Sequence, residues 1–167
     1  MTLAARCTDP LAQPAAVLPR RQLLAAALAS LAAPWAAQAA PSPLVEVWKG
    51  PTCGCCNDWI AYLEANGFTV RAFDTGNTDM RVKLGMPLLY GSCHTARVDG
   101  YVLEGHVPVR EIRRLLAERP KAVGLAVPAM PVGSPGMDGP EYRGRRDPYD
   151  VLLVRKDGNA AVYQAYR

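Results

Sequence analysis

The sequence lacks any apolar run long enough to span a membrane. Its longest, an Ala/Leu stretch from Leu23 to Ala33, is about half the ~20 residues that a bilayer crossing needs. Internal repeats are also lacking, and nothing in the 167 residues requires a second domain. Aromatic residues make up 7% of the chain, and its basic residues are scattered apart from Arg143, Arg145 and Arg146. A nucleic-acid surface needs a basic stripe interleaved with aromatics, so that class of partner is excluded. One further absence bears on the site: no proline lies between Pro87 and Pro108.

What is present begins with an export signal. Pro19-Arg20-Arg21 precedes Gln22-Leu23-Leu24 and the Ala/Leu run, and Ala37-Gln38-Ala39 stands before Ala40. Positive charge, a short apolar core and a small-residue cleavage site predict removal of residues 1–39 and a periplasmic mature protein without stable membrane insertion. Arginines paired against the apolar run resemble the twin-arginine signal, which carries folded proteins; general secretory export with ordinary positive charge is the alternative. Residues 1–39 hold three arginines and one aspartate, so the formal charge of +4 becomes +2 without them. Cys7 leaves with this segment, and four cysteines remain.

From residue 40 on, the pattern predicts one α/β domain. Leu44 to Trp48 reads as a buried strand, and Asn57 to Asn66 as a helix with Trp59, Tyr62 and Leu63 on one face and Gly67 as its stop. Phe68 to Phe73 alternates as a second strand, and Thr78 to Leu84 is a short helix ended by Gly85 and Pro87. Asp99-Gly100 suits the tight turn of a hairpin between Thr95–Val98 and Tyr101–Glu104. Pro108 opens a helix with Ile112, Leu115 and Leu116 inside and Arg110, Arg113, Arg114 and Glu118 outside. The order β-α-β-α-β-β-α, with cysteines at the first strand-to-helix junction, predicts a thioredoxin-like, glutaredoxin-like core. A Pro/Gly/Met-rich segment, Pro128 to Pro148, and a C-terminal hairpin, Asp150–Val154 with Ala160–Tyr166, follow.

Chemistry concentrates in Cys53-Gly54-Cys55-Cys56. A helix N-terminus aims its positive dipole end and free N–H groups at these sulfurs, favouring thiolate over thiol. In such folds the loop entering the hairpin lies against this motif, which brings Ser92-Cys93-His94-Thr95 beside it. Thioredoxin-like enzymes usually carry a cis-proline in that loop; here a thiol and an imidazole stand instead, both metal-ligand types. Three readings compete. A Cys53–Cys56 redox couple leaves Cys55 and Cys93 as surplus thiols. Two structural disulfides are disfavoured because adjacent cysteines bridge poorly. Zinc normally takes separated C-x2-C pairs, whereas copper(I) is soft and lets crowded thiolates bridge neighbouring ions.

Met130 and Met137 add two thioethers on the Pro/Gly-rich segment, either as copper(I) ligands or as packing and surface residues. His94, next to Cys93, faces the opposite way on an ideal strand and so either misses the metal or joins it. His106, at the end of the hairpin, is either a rim ligand or a cap for the next helix. Trp48 and Trp59 read as core packing around the motif.

The segments Trp48 to Cys56, Ser92 to Thr95, Gly105 to Pro108 and Gly124 to Met137 together resemble the CopG-type bacterial copper-resistance proteins. These are the periplasmic proteins, once known only as a domain of unknown function, not the DNA-binding repressors of the same name. The resemblance implies a thioredoxin-like domain with a cysteine-bridged copper cluster ligated by Cys53, Cys55, Cys56 and Cys93. It also implies work alongside copper export or chaperone proteins, with storage, delivery and copper redox conversion all open. A thiol-disulfide oxidoreductase using Cys53 as nucleophile and Cys56 as resolving thiol is the alternative.

Overall fold

A computed structural model of the protein describes residues 42–167; the expected export signal lies outside the described residues. Ten regular elements follow in order: β1 Leu44–Lys49, α1 Gly54–Ala65, β2 Thr69–Phe73, α2 Thr78–Lys83, β3 His94–Val98, β4 Tyr101–Glu104, α3 Val109–Glu118, β5 Gly124–Ala126, β6 Tyr149–Val154 and β7 Ala160–Tyr166. All seven strands join one sheet in the order β2-β1-β3-β4-β5-β6-β7. The protein is therefore α/β, as predicted. No helix among the described residues is long and apolar enough to cross a membrane.

β1 is an interior strand, second in the sheet, with Val45 and Val47 fully buried, and it pairs in parallel with β2 and antiparallel with β3. Its register with β3 sets Lys49, the last residue of β1, opposite His94, the first of β3. The β3–β4 turn uses Asp99 and Gly100 at φ of 47° and 85°, the positive values that an Asp-Gly pair accepts most readily. One face of the sheet packs on α1 and α3 through Trp59, Leu63, Ile112 and Leu115, which meet Val45, Val47, Leu103 and Leu125. The stripe on α3 is as predicted for Ile112 and Leu115, while Leu116 is only half-buried. On the other face Met86, Tyr90, Val102, Ala126 and Val154 form a smaller cluster.

Two differences from the sequence reading shape the site. α1 starts at Gly54 rather than Asn57, so Cys55 and Cys56 lie in its first turn and Cys53 is its N-cap. The unpredicted strand β5 pairs in parallel with β4 and antiparallel with β6, which welds the C-terminal hairpin to the sheet. Gly124 permits this, since a Cβ there would stand 1.8 Å from the carbonyl oxygen of Val102.

Candidate metal centre

β1 ends at Lys49, a turn with Cys53 N–H donating to the Gly50 carbonyl follows, and α1 begins. No side-chain hydrogen bond caps that N-terminus, where Cys53 is the N-cap and Cys55 and Cys56 lie in the first turn. From the other side, the loop before β3 delivers Cys93. The sulfurs of Cys53, Cys55, Cys56 and Cys93 all lie within 4.8 Å of one another. Cys53 and Cys55 are 3.6 Å apart, Cys55 and Cys93 4.0 Å, and Cys56 Sγ lies 3.7 Å from the Cys93 carbonyl oxygen. Cys53 and Cys56 are joined as a disulfide, leaving Cys55 and Cys93 as free thiols, so the structure does not hold two bridges. Cys56 is fully buried, whereas the other three sulfur residues are half-buried.

Both histidines turn inward. His94 is fully buried, its ring tilted against Trp59 at a centroid distance of 4.3 Å, with Nδ1 3.4 Å from Cys93 Sγ and Nε2 without a hydrogen-bond partner among the described residues. Cys93 precedes the strand, so strand alternation does not separate the two. His106 is also fully buried, with Nε2 3.1 Å from Cys93 Sγ and Nδ1 2.7 Å from the Pro135 carbonyl oxygen. It does not cap α3, whose N-cap is Pro108. Cys93, His94 and His106 thus form a second group of donors within 4.8 Å of one another, sharing Cys93 with the first.

Burial sets the protonation. Desolvation, then the neighbouring Cys55, pushes the Cys93 thiol up to about 12, so it keeps its proton at neutral pH until a cation displaces it. Burial and the adjacent His106 hold His94 well below the usual histidine range. Burial likewise lowers His106, against a partial opposing pull from its bond to Pro135. Both imidazoles are therefore neutral, the form that ligates metals.

A polar network missed from sequence fixes the Cys93 loop. Glu104, fully buried on β4, accepts hydrogen bonds from Arg81 Nε at 2.9 Å, Ser92 N–H at 2.7 Å and Thr95 Oγ1 at 2.6 Å. Arg81 donates in turn to the Ser92 carbonyl at 2.7 Å, and Asn77 Nδ2 donates to the same oxygen at 3.2 Å. Both main-chain polar groups of Ser92, the residue before Cys93, are thereby held by an ion pair, and both oxygens of the buried Glu104 carboxylate are hydrogen-bonded. The only sequence signal was a charge ending an apolar strand, Tyr101 to Glu104.

The methionines separate. Met137 is buried and its Sδ accepts a 3.4 Å hydrogen bond from the Tyr142 hydroxyl. Its turn presses on α1, for a Cβ on Gly136 would stand 2.7 Å from Trp59 N and 2.8 Å from the Cys55 carbonyl. Met130 is 47% exposed and lines a different recess with Pro148 and Leu152. Trp48 and Trp59 are core residues as expected; Trp48 stacks on Phe73 at 5.2 Å and Trp59 Nε1 donates to the Val107 carbonyl at 3.0 Å.

The donor set suits a soft cation: four sulfurs from two chain segments, two neutral imidazoles and a nearby thioether. The family described as "Protein of unknown function, DUF411" matches residues 90–137, a span that opens before Cys93 and closes on Met137. A solved structure described as "Copper resistance protein copG- Form 2" is 43% identical, covering 75% of this chain and 99% of that chain at a TM-score of 0.69. Its Form 1 counterpart is 44% identical, covering 76% and 98% at a TM-score of 0.69. No curated protein sequence matches the chain.

Proposed function

The chain belongs to the family of the copper resistance protein CopG, and from that premise we propose that it is a periplasmic protein holding copper(I) as cargo in a thiolate-bridged cluster. The observation that carries this reading is the convergence of Cys53, Cys55, Cys56 and Cys93 within 4.8 Å, with three of the four crowded into one turn of chain instead of the well-separated C-x2-C pairs usual for zinc. His94 and His106 are offered as nitrogen ligands beside Cys93, Met137 as a thioether beside α1, and Met130 as an outlying sulfur for capture. Loading requires the Cys53–Cys56 bridge to take up two electrons and two protons from a dithiol. The thiols then lose their protons as they bind copper. Holding, delivery to copper export or chaperone proteins, and conversion between copper(I) and copper(II) are all chemically open to such a site.

The first four strands in the order β2-β1-β3-β4, with β3 antiparallel to β1 and cysteines at the β1–α1 junction, support a thioredoxin-like core. Residues 1–39 are proposed as a cleaved export signal of the twin-arginine type. Anaerobic titration of the reduced protein with copper(I) against a competing chelator tests the cargo reading. Several tightly held ions, fewer in Cys55→Ser and Cys93→Ser, are expected; loss of all copper to a weak chelator would reject it.

One observation favours a second reading, a thiol-disulfide oxidoreductase. Cys53 and Cys56 are bridged, with Cys53 partly open to solvent and Cys56 fully buried, the disposition of attacking and resolving thiols. In that case Cys55→Ser and Cys93→Ser retain full disulfide-exchange activity.

A further inference from the structure

Access to the sulfurs is uneven. Behind them stand Trp59, His94 and His106, all fully buried, and the Gly136 turn is packed against the backbone of Cys55 and Trp59. In front, a recess of about 600 Å3 between the turn before α1 and the segment leading into α2 is lined by both Cys53 and Cys93. Its lining is mixed, with Thr75, Asn77, Thr78 and Asp79 supplying the polar part. Two larger apolar side chains also line it, the Trp48 ring and Met80, which is half-buried on α2 and brings the one thioether of the lining.

The position of Met80 is fixed from both sides. Asn77, three residues before it, and Arg81, the residue after it, both donate to the carbonyl of Ser92, the residue adjoining Cys93. Arg81 is also locked to the fully buried Glu104. A buried ion pair contributes little net stability, because desolvation offsets most of its attraction; what it supplies is a defined geometry. The geometry supplied here sets the turn carrying Met80 against the loop carrying Cys93.

We propose that this recess is the port through which cargo reaches the cluster and that Met80 is its landing ligand, a binding subsite for a thiophilic monovalent cation. This rests on the copper(I) reading above. A neutral thioether binds copper(I) through a sulfur lone pair, with no proton to displace and no electron transferred. The ion binds Met80 first; its bonds pass to Cys53 and Cys93 as their protons leave to solvent, and the Met80–copper bond breaks. Met80 thus contributes to the rate of loading and not to the final affinity.

The test uses the reduced protein and copper(I) presented as its bicinchoninate complex, whose colour falls as the metal is taken up. Met80→Leu keeps size and apolarity and deletes the sulfur. Its uptake is expected to slow by roughly an order of magnitude, with final copper content and competition affinity unchanged. Val82→Ala, exposed on the same helix but outside the recess, keeps the wild-type rate. Uptake by Met80→Leu at the wild-type rate, or equal slowing in Val82→Ala, would overturn the port. A second readout needs no variant. In the disulfide form of the wild-type protein, with methionine methyls labelled, a sub-stoichiometric addition of silver(I) shifts the Met80 resonance, and an unmoved Met80 methyl also overturns it. If the reduced wild-type protein holds no copper(I), the cluster reading fails, and the silver experiment still decides whether Met80 binds a soft cation.

Discussion

His106 joins Cys93 to the Met137 turn, with Nε2 3.1 Å from the cysteine sulfur and Nδ1 2.7 Å from the Pro135 carbonyl oxygen. A carbonyl can only accept, so Nδ1 carries the proton and Nε2 presents its lone pair to the sulfur. A ring nitrogen anchored to a backbone carbonyl while the other faces the metal position is the usual arrangement of a ligating histidine. His106→Ala leaves the Pro135 carbonyl unsatisfied and opens a cavity. Stability is expected to fall by about 1–3 kcal/mol, measured by urea unfolding, and copper content to fall with it. Undiminished copper content in the folded variant would remove His106 from the ligand set.

Glu104→Gln strands the Arg81 guanidinium beside a neutral amide in a site closed to water. Breaking a buried pair in this way costs about 3–5 kcal/mol. Arg81→Met combined with Glu104→Gln is expected to recover part of that loss, because no lone charge remains buried. Chemical denaturation of the two singles and the double gives the coupling; strictly additive losses would mean that the pair does not act as a unit.

Alkaline pH tests the protonated state of Cys93. Burial holds its folded-state value at about 12, above the 9.0 of an exposed thiol. The stability it contributes is therefore complete below pH 9 and is lost as pH rises toward 12. Tyr149, also raised to about 12 by burial, loses stability in the same direction, so the diagnostic quantity is a difference. Cys93→Ser is expected to show a shallower decline than wild type when unfolding free energies are followed from pH 8.5 upward. Parallel profiles would contradict a buried thiol at this position.

Gly136→Ala meets two obstacles at once, a φ of +80° and a Cβ 2.7 Å from the backbone nitrogen of Trp59. The turn must lift from α1, at a cost of about 1–3 kcal/mol of strain or lost contact. Trp59 fluorescence and methyl chemical shifts of Met137 are expected to change together, while β-sheet circular dichroism stays constant.

Where structure follows local pattern, it was legible in the sequence. The Asp99-Gly100 turn, the Ile112/Leu115 stripe and the C-terminal hairpin each follow from short-range rules and stand where those rules put them. β5 was not legible, since Gly124-Leu125-Ala126 is too short to show a period; it is a strand only because β4 and β6 flank it. The early start of α1 was hidden because no Ser, Thr, Asp or Asn caps it, and a cysteine stands at the N-cap instead. Glu104 and Arg81 are 23 positions apart and Glu111 reaches Tyr166 across 55, so nothing local marks these charged residues as interior. Of the site, the four cysteines were visible as a motif plus a fold expectation, whereas the inward turn of His106 depends on the Pro135 carbonyl, which only the folded chain provides.

The pairing of Lys49 with His94 means that the main-chain ladder between β1 and β3 sets the register of the two cysteine segments, on which the Glu104–Arg81 network then fixes the Cys93 loop. A slip of one residue in that ladder would turn Ala96 and Val98 out of the core and His94 away from Trp59. A wrongly zipped sheet therefore cannot complete the site. The core acts as a proofreader, and a misfolded copy is disarmed as a trap for metal.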